Sequence, residues 1–131
     1  MARKKERKPS PGELELLQVL WKRGASTVKQ VHEVVNAHRR PPKSMTTTLK
    51  IMQNMEEKGL VQREGDDRPQ LFRAAIEKDV AQSGLLEDLL SQAFHGDTSQ
   101  LVLCALNKGD VSTEELENIR KLLDAHKKGE E

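Results

Sequence analysis

From Lys43 onward the chain reads Lys43-Ser44-Met45-Thr46-Thr47-Thr48-Leu49-Lys50, followed by Met52, Asn54 and Met55. Wound at about 100° per residue, this stretch puts Met45, Thr48, Leu49, Met52 and Met55 on one sector and Lys43, Thr46, Thr47, Lys50 and Asn54 on the other. The outer sector carries no acid until Glu57. Threonine hydroxyls donate to or accept from base edges and their methyls can meet thymine methyls. Lysine serves phosphate or guanine, and asparagine pairs with adenine in a bidentate manner. Such a face suits a groove lined with acceptors and bounded by phosphates. The competing reading is a merely solvated helix face. Solvent-facing helix positions more often hold Glu, Lys, Gln or Ala, and three β-branched threonines are mediocre helix formers, so the composition favours contact with a groove.

Catalytic chemistry finds no comparable constellation. His32, His38, His95 and His126 are scattered, with no His, Cys or Asp at metal-ligand spacing. No glycine-rich phosphate loop, nucleophile elbow or pair of carboxylates in an apolar setting occurs. The expectation is therefore a protein that is no enzyme and that takes neither cofactor nor metal. His38, beside Arg39-Arg40, is either a phosphate contact or a plain surface histidine.

The elements that must position the threonine face follow from periodicity. Leu14, Leu17 and Trp21, joined by Leu16 and Leu20, mark a first helix that Gly24 stops. Ser26 stands where an N-cap would, before Val28, Val31, Val34 and Val35, and this second helix closes ahead of Arg39-Arg40-Pro41-Pro42, since proline cannot continue it. Ser44 can cap the third helix, which ends at Lys58-Gly59, and it joins the candidate contact residues. Two extended runs, Leu60 to Glu64 and Gln70 to Ala74, flank a turn-rich Gly65-Asp66-Asp67-Arg68-Pro69 and predict a β-hairpin. Arg63, Arg68 and Arg73 on that hairpin can grip phosphates, while Asp66-Asp67 at its tip argues against deep insertion. Three helices and a hairpin in this order are the pattern of a winged helix-turn-helix, whose third helix enters the major groove.

Beyond Ala75 the chain becomes acidic and helical. Val80 to Phe94 carries Leu85, Leu86, Leu89 and Leu90, and Leu101 to Leu106 includes Leu103 and Cys104. Ser112-Thr113-Glu114-Glu115 forms a capping box ahead of Leu116, Ile119, Leu122 and Leu123. These apolar stripes exceed what three short helices bury by themselves, so a second copy of the chain is expected to cover them; the alternative is a self-contained helical core. The fold class is thus mainly α with a small β-hairpin: a flexible basic arm at 1–10, a winged helix at 11–76 and a helical dimerisation region at 77–131.

Charge follows the same division. The formal net charge of +1 conceals 16 Lys/Arg against 9 Asp/Glu in residues 1–75, a net of +7, and 6 against 12 in residues 76–131, a net of −6. The basic part suits a polyanion. The arm, MARKKERKPS, reads either as a phosphate-contacting extension or as a solvated tail. With 131 residues and 2% aromatics, a large multi-domain enzyme is excluded. One cysteine, Cys104, allows no internal disulfide and points to a reducing, cytoplasmic setting; it reads as a small buried apolar residue before a redox sensor. No apolar run is long enough for insertion into a membrane.

Three segments together resemble the penicillinase-repressor family: Leu14-Glu15-Leu16-Leu17-Gln18-Val19-Leu20-Trp21, then Thr46-Thr47-Thr48-Leu49-Lys50 with Met55-Glu56-Glu57-Lys58-Gly59-Leu60-Val61, and Leu101-Val102-Leu103 leading to Ser112-Thr113-Glu114-Glu115-Leu116. The resemblance covers residues 12 to 125. It implies a homodimeric bacterial repressor with a winged helix on each half of an inverted-repeat operator and a C-terminal helical region that dimerises. It also implies release by a membrane sensor protease, leading to cutting near Leu103-Cys104-Ala105. Familiar members have an Asn-Phe bond there where this chain has Cys104-Ala105, and many have Val, Thr and Arg where it has Thr48, Lys50 and Asn54. The C-terminal cysteine cluster of the copper-responsive branch has no counterpart here, so no metal switch is inferred. A winged helix that binds another protein, with no sequence-specific DNA contact, is the alternative function; the net +7 and the acid-poor third helix weigh against it.

Overall fold

The computed structural model describes residues 8–129, so most of the expected basic arm at 1–10 lies outside the described residues. Across them run six helices and three short strands: α1 (Pro11–Arg23), β1 (Ser26–Thr27), α2 (Val28–Asn36), α3 (Met45–Lys58), β2 (Val61–Glu64), β3 (Leu71–Ala74), α4 (Lys78–Ala93), α5 (Thr98–Asn107) and α6 (Thr113–Gly129).

Each of the first three helices starts on a side-chain cap that satisfies amides left over at a helix N-terminus. Ser10 and Glu13 form a reciprocal capping box on α1, with Pro11 in its first turn and Gly24 at its end. Thr27 and Gln30 do the same for α2. This moves the cap one residue beyond the expected Ser26. The reason is that Ser26 is fully buried, donates to the Gly24 carbonyl at 2.9 Å and sits across from Phe72 in the sheet. Ser44 caps α3 as expected, its hydroxyl accepting from the Thr47 amide at 3.1 Å, and Gly59 ends that helix at φ 81°, a left-handed conformation that glycine adopts without penalty.

The hairpin is present and is joined by a third strand that periodicity does not reveal. The antiparallel order is β1-β3-β2, with Ser26 opposite Phe72, Val61 opposite Ala74 and Arg63 opposite Phe72. A two-residue strand has no alternation to read, and it exists only because β3 lies beside it.

Leu16, Leu17 and Leu20 of α1, Val31 and Val35 of α2, Met52 and Met55 of α3, and Leu60, Val61 and Phe72 form the core, with Trp21 packed against it and bonded through its indole N–H to the Ile76 carbonyl at 3.0 Å. Thr48 joins this interior. Met45 and Leu49, expected in the core sector, remain 39% and 41% exposed, and Val34 is exposed as well. Met45 and Leu49 instead line an open groove with Val28, Met52, Arg63 and Phe72, because the core face of α3 is narrower than the helical projection suggests.

Ala81 of α4 belongs to the same core, so this unit extends to Leu86, beyond the expected boundary at residue 76. A second unit begins at Glu87. In it Asp97 caps α5, and Ser112 with Glu115 forms the expected capping box on α6. Neither α5 nor α6 buries a residue. Cys104 is exposed, which corrects its reading as buried: it lies off the half-buried Leu101 and Leu106 of its helix, which buries no residue fully in the single chain.

Candidate nucleic-acid interface

The third helix meets the candidate face with three adjacent threonines in three environments. Thr46 is exposed, as are Lys50 and Asn54. Thr47 is exposed too, its hydroxyl 2.9 Å from that of Ser44, so the capping pair presents two hydroxyls at the start of α3. Thr48 turns inward, 2.8 Å from Nδ1 of His32. The helix therefore displays Ser44, Thr46, Thr47, Lys50 and Asn54 outward while Met52 and Met55 hold its other side.

The candidate cations fall into two groups. Lys50 and Arg68 are exposed and make no ion pair among the described residues. Lys43 and Arg63 are each held by a carboxylate. Lys43 Nζ lies 2.9 Å from Glu15, which also pairs with Arg39 at 3.1 Å, and only 12% of the Lys43 side chain is exposed. Arg63 lies 2.8 Å from Glu56 and stands over the Phe72 ring at 5.3 Å. The hydrogen bond and charge of Glu56 raise the Arg63 pKa above its ordinary value, so the guanidinium keeps its charge throughout the range in which proteins fold. Arg73 is bonded to Gln62 at 2.5 Å and lies 3.8 Å from Glu64.

These internal carboxylates are what sequence reasoning misses. Glu15 is far from Lys43 along the chain, and no local pattern links them. The buried carboxylate of Glu13, 2.7 Å from Lys58, likewise fastens the start of α1 to the end of α3. Both Glu13 and Glu15 stand in the first turns of α1, and their alternation with leucine was the only available signal.

The eleven apolar residues expected to dimerise are all at least partly exposed: Leu86, Leu89, Leu103, Leu116, Leu122 and Leu123 are open, and Leu85, Leu90, Leu101, Leu106 and Ile119 are half-buried. No group of His, Cys, Asp and Glu that could hold a metal occurs among the described residues. No helix among them is long and apolar enough to cross a membrane.

A winged helix-turn-helix presenting an acid-poor, hydroxyl-rich third helix is a regulator of the DNA-binding class. Its family follows from comparison with known proteins: the chain belongs to the penicillinase-repressor family, whose model matches residues 9–125. The transcriptional regulator BlaI of Mycobacterium tuberculosis is 34% identical over 95 residues, covering 70% of this chain and 67% of that one. MecI, the methicillin resistance regulatory protein of Staphylococcus aureus, is 24% identical over 115 residues, covering 87% of this chain and 91% of that one. The expectation that the chain is no enzyme agrees with relatives named as regulators. A MarR family protein from Bacillus stearothermophilus has a similar fold, with a TM-score of 0.50 at 21% identity, covering 94% of this chain and 76% of that one.

Proposed function

We propose that the chain is a homodimeric transcriptional repressor that occupies an inverted-repeat operator. The carrying observation is the outer face of α3, where Thr46, Lys50 and Asn54 are exposed beside the Ser44–Thr47 hydroxyl pair. Thr46, Thr47, Lys50 and Asn54 read base edges in the major groove, and Ser44, Lys43, Arg63, Arg68 and the arm at 1–10 hold phosphates. Lys43 and Arg63 reach phosphate by exchanging or sharing the carboxylates of Glu15 and Glu56, which keep both cations placed in the free protein.

Two copies join through the leucine-rich faces of α4, α5 and α6, from Leu85 to Leu123. The support is energetic: burying one leucine side chain is worth about 1.5–3 kcal/mol, and α5 and α6 bury none within the single chain. Release runs through a sensor protease signal that leads to cutting near Leu103-Cys104-Ala105. These residues are exposed but lie inside α5, so a protease must first open helical hydrogen bonds there.

Selection of bound fragments from the source genome, followed by footprinting, tests this function. The expected result is an inverted repeat protected in two halves. Fragments retained without shared sequence would contradict it. Mass measurement of the chain after induction decides the cleavage step: two fragments dividing within 103–105 support it, and an intact chain released from DNA refutes it.

A further inference from the structure

The connection from α2 to α3 covers residues 37–44, longer than the three or four residues of a tight helix-turn-helix. Each extra residue adds backbone freedom that something must remove. One side chain fixes the end of the connection next to α3. Asn36 Nδ2 donates to the Lys43 carbonyl at 3.0 Å, and its Oδ1 accepts from the Lys43 amide, also at 3.0 Å. Both backbone groups of the residue immediately before the α3 cap are thus satisfied by the last residue of α2, as a neighbouring strand would satisfy them.

A second tie starts from the same residue. Asn36 Nδ2 lies 3.2 Å from His32 Nε2, His32 Nδ1 lies 2.8 Å from Thr48 Oγ1, and Thr48 Oγ1 lies 3.4 Å from the Ser44 carbonyl oxygen. Asn36 Nδ2 also lies 3.4 Å from His32 Nδ1, and the Thr48 hydroxyl either accepts from Nδ1–H while donating to Ser44 or itself donates to Nδ1. Either tautomer of His32 ties the ring to Thr48. His32 and Asn36 stand four residues apart on one face of α2, so a single helix surface holds α3 at its cap and again at Thr48. Neither side chain belongs to the outer face of α3.

We propose that Asn36 is a positioning residue for sequence recognition, with His32 as its support: it sets the placement of α3 against the groove without touching DNA. The inference rests on the reading of α3 as the base-reading helix. Base-edge hydrogen bonds tolerate displacements of only about 0.5 Å, whereas phosphate attraction is long-ranged and insensitive to such shifts. Releasing the Lys43 backbone therefore costs discrimination before it costs general affinity.

The experiment uses the full chain, a duplex that the wild type selects from a random-sequence library, and a scrambled duplex of equal composition. Affinities for both are measured for wild type, Asn36→Ala and Asn36→Asp, with a thermal melt of each variant. Asn36→Asp keeps the acceptor for the Lys43 amide and loses both donated hydrogen bonds. The expected result for Asn36→Ala is a fall of about tenfold or more in the selected-over-scrambled ratio, the scale of one disturbed base contact, with scrambled affinity and salt dependence unchanged. Asn36→Asp shows the same fall, and its melt provides a folded variant if Asn36→Ala does not fold. Equal loss on both duplexes, or an unchanged ratio in a folded variant, overturns the positioning role. A wild type that selects no sequence overturns the underlying reading, whereas a selective wild type with an equally selective Asn36→Ala overturns only the clamp.

Discussion

Thr46, Thr47 and Thr48 are chemically identical and differ only in direction. Thr47→Ala removes a hydroxyl from the outward capping pair, and the expected outcome is a loss of about 1–3 kcal/mol in discrimination between operator and scrambled DNA, read from paired binding titrations. Thr48→Val removes the buried hydroxyl that partners His32. The expected cost is about 0.5–1.5 kcal/mol of folding stability in denaturant unfolding, the net worth of one hydrogen bond, because the His32 ring left behind is only half-buried. Glu56→Gln loosens the hold on Arg63, so binding to operator and scrambled duplex should tighten by the same factor, most visibly at low salt; a gain confined to the operator would assign Arg63 to bases instead of phosphate. The directions of the threonines were legible because helical period is a local property. The partners of Lys43 and Arg63 were not, since those distances arise only when α1, α3 and β2 are brought together.

At the level of elements, caps and stops carried most of the readable information. Ser44, Gly59 and the Ser112–Glu115 box act where the sequence places them. The cap of α2 shifted to Thr27 because a buried sheet position claimed Ser26, and such tertiary demands override local propensity. The same distinction separates two residues of α3. Met52, nearly fully buried, should cost about 2–5 kcal/mol when changed to alanine. Leu49, 41% exposed in its groove, should cost much less. Equilibrium unfolding of the two variants checks the ordering; equal losses would return Leu49 to the core, where the helical projection alone puts it.

Across the whole molecule, the net charge of +1 is the sum of a +7 part and a −6 part. The basic part was legible as a polyanion-binding winged helix. The acidic part was legible as helices with apolar stripes, and the structure adds that α5 and α6 bury none of those residues fully. Deleting residues 100–131 should leave a monomer in sedimentation at micromolar concentration, and an unchanged dimer would place the contact elsewhere. The claim that joins these scales is that a dimer of this chain grips operator phosphates while its third helices read bases. Its most direct test is the affinity of the full chain for a footprinted genomic fragment and a scrambled duplex across a salt series. Log affinity should fall linearly with log salt on both, by about 0.9 for each phosphate contact, with the genomic fragment bound more tightly throughout. Affinity that is weak, indifferent to salt and equal for the two duplexes would contradict it.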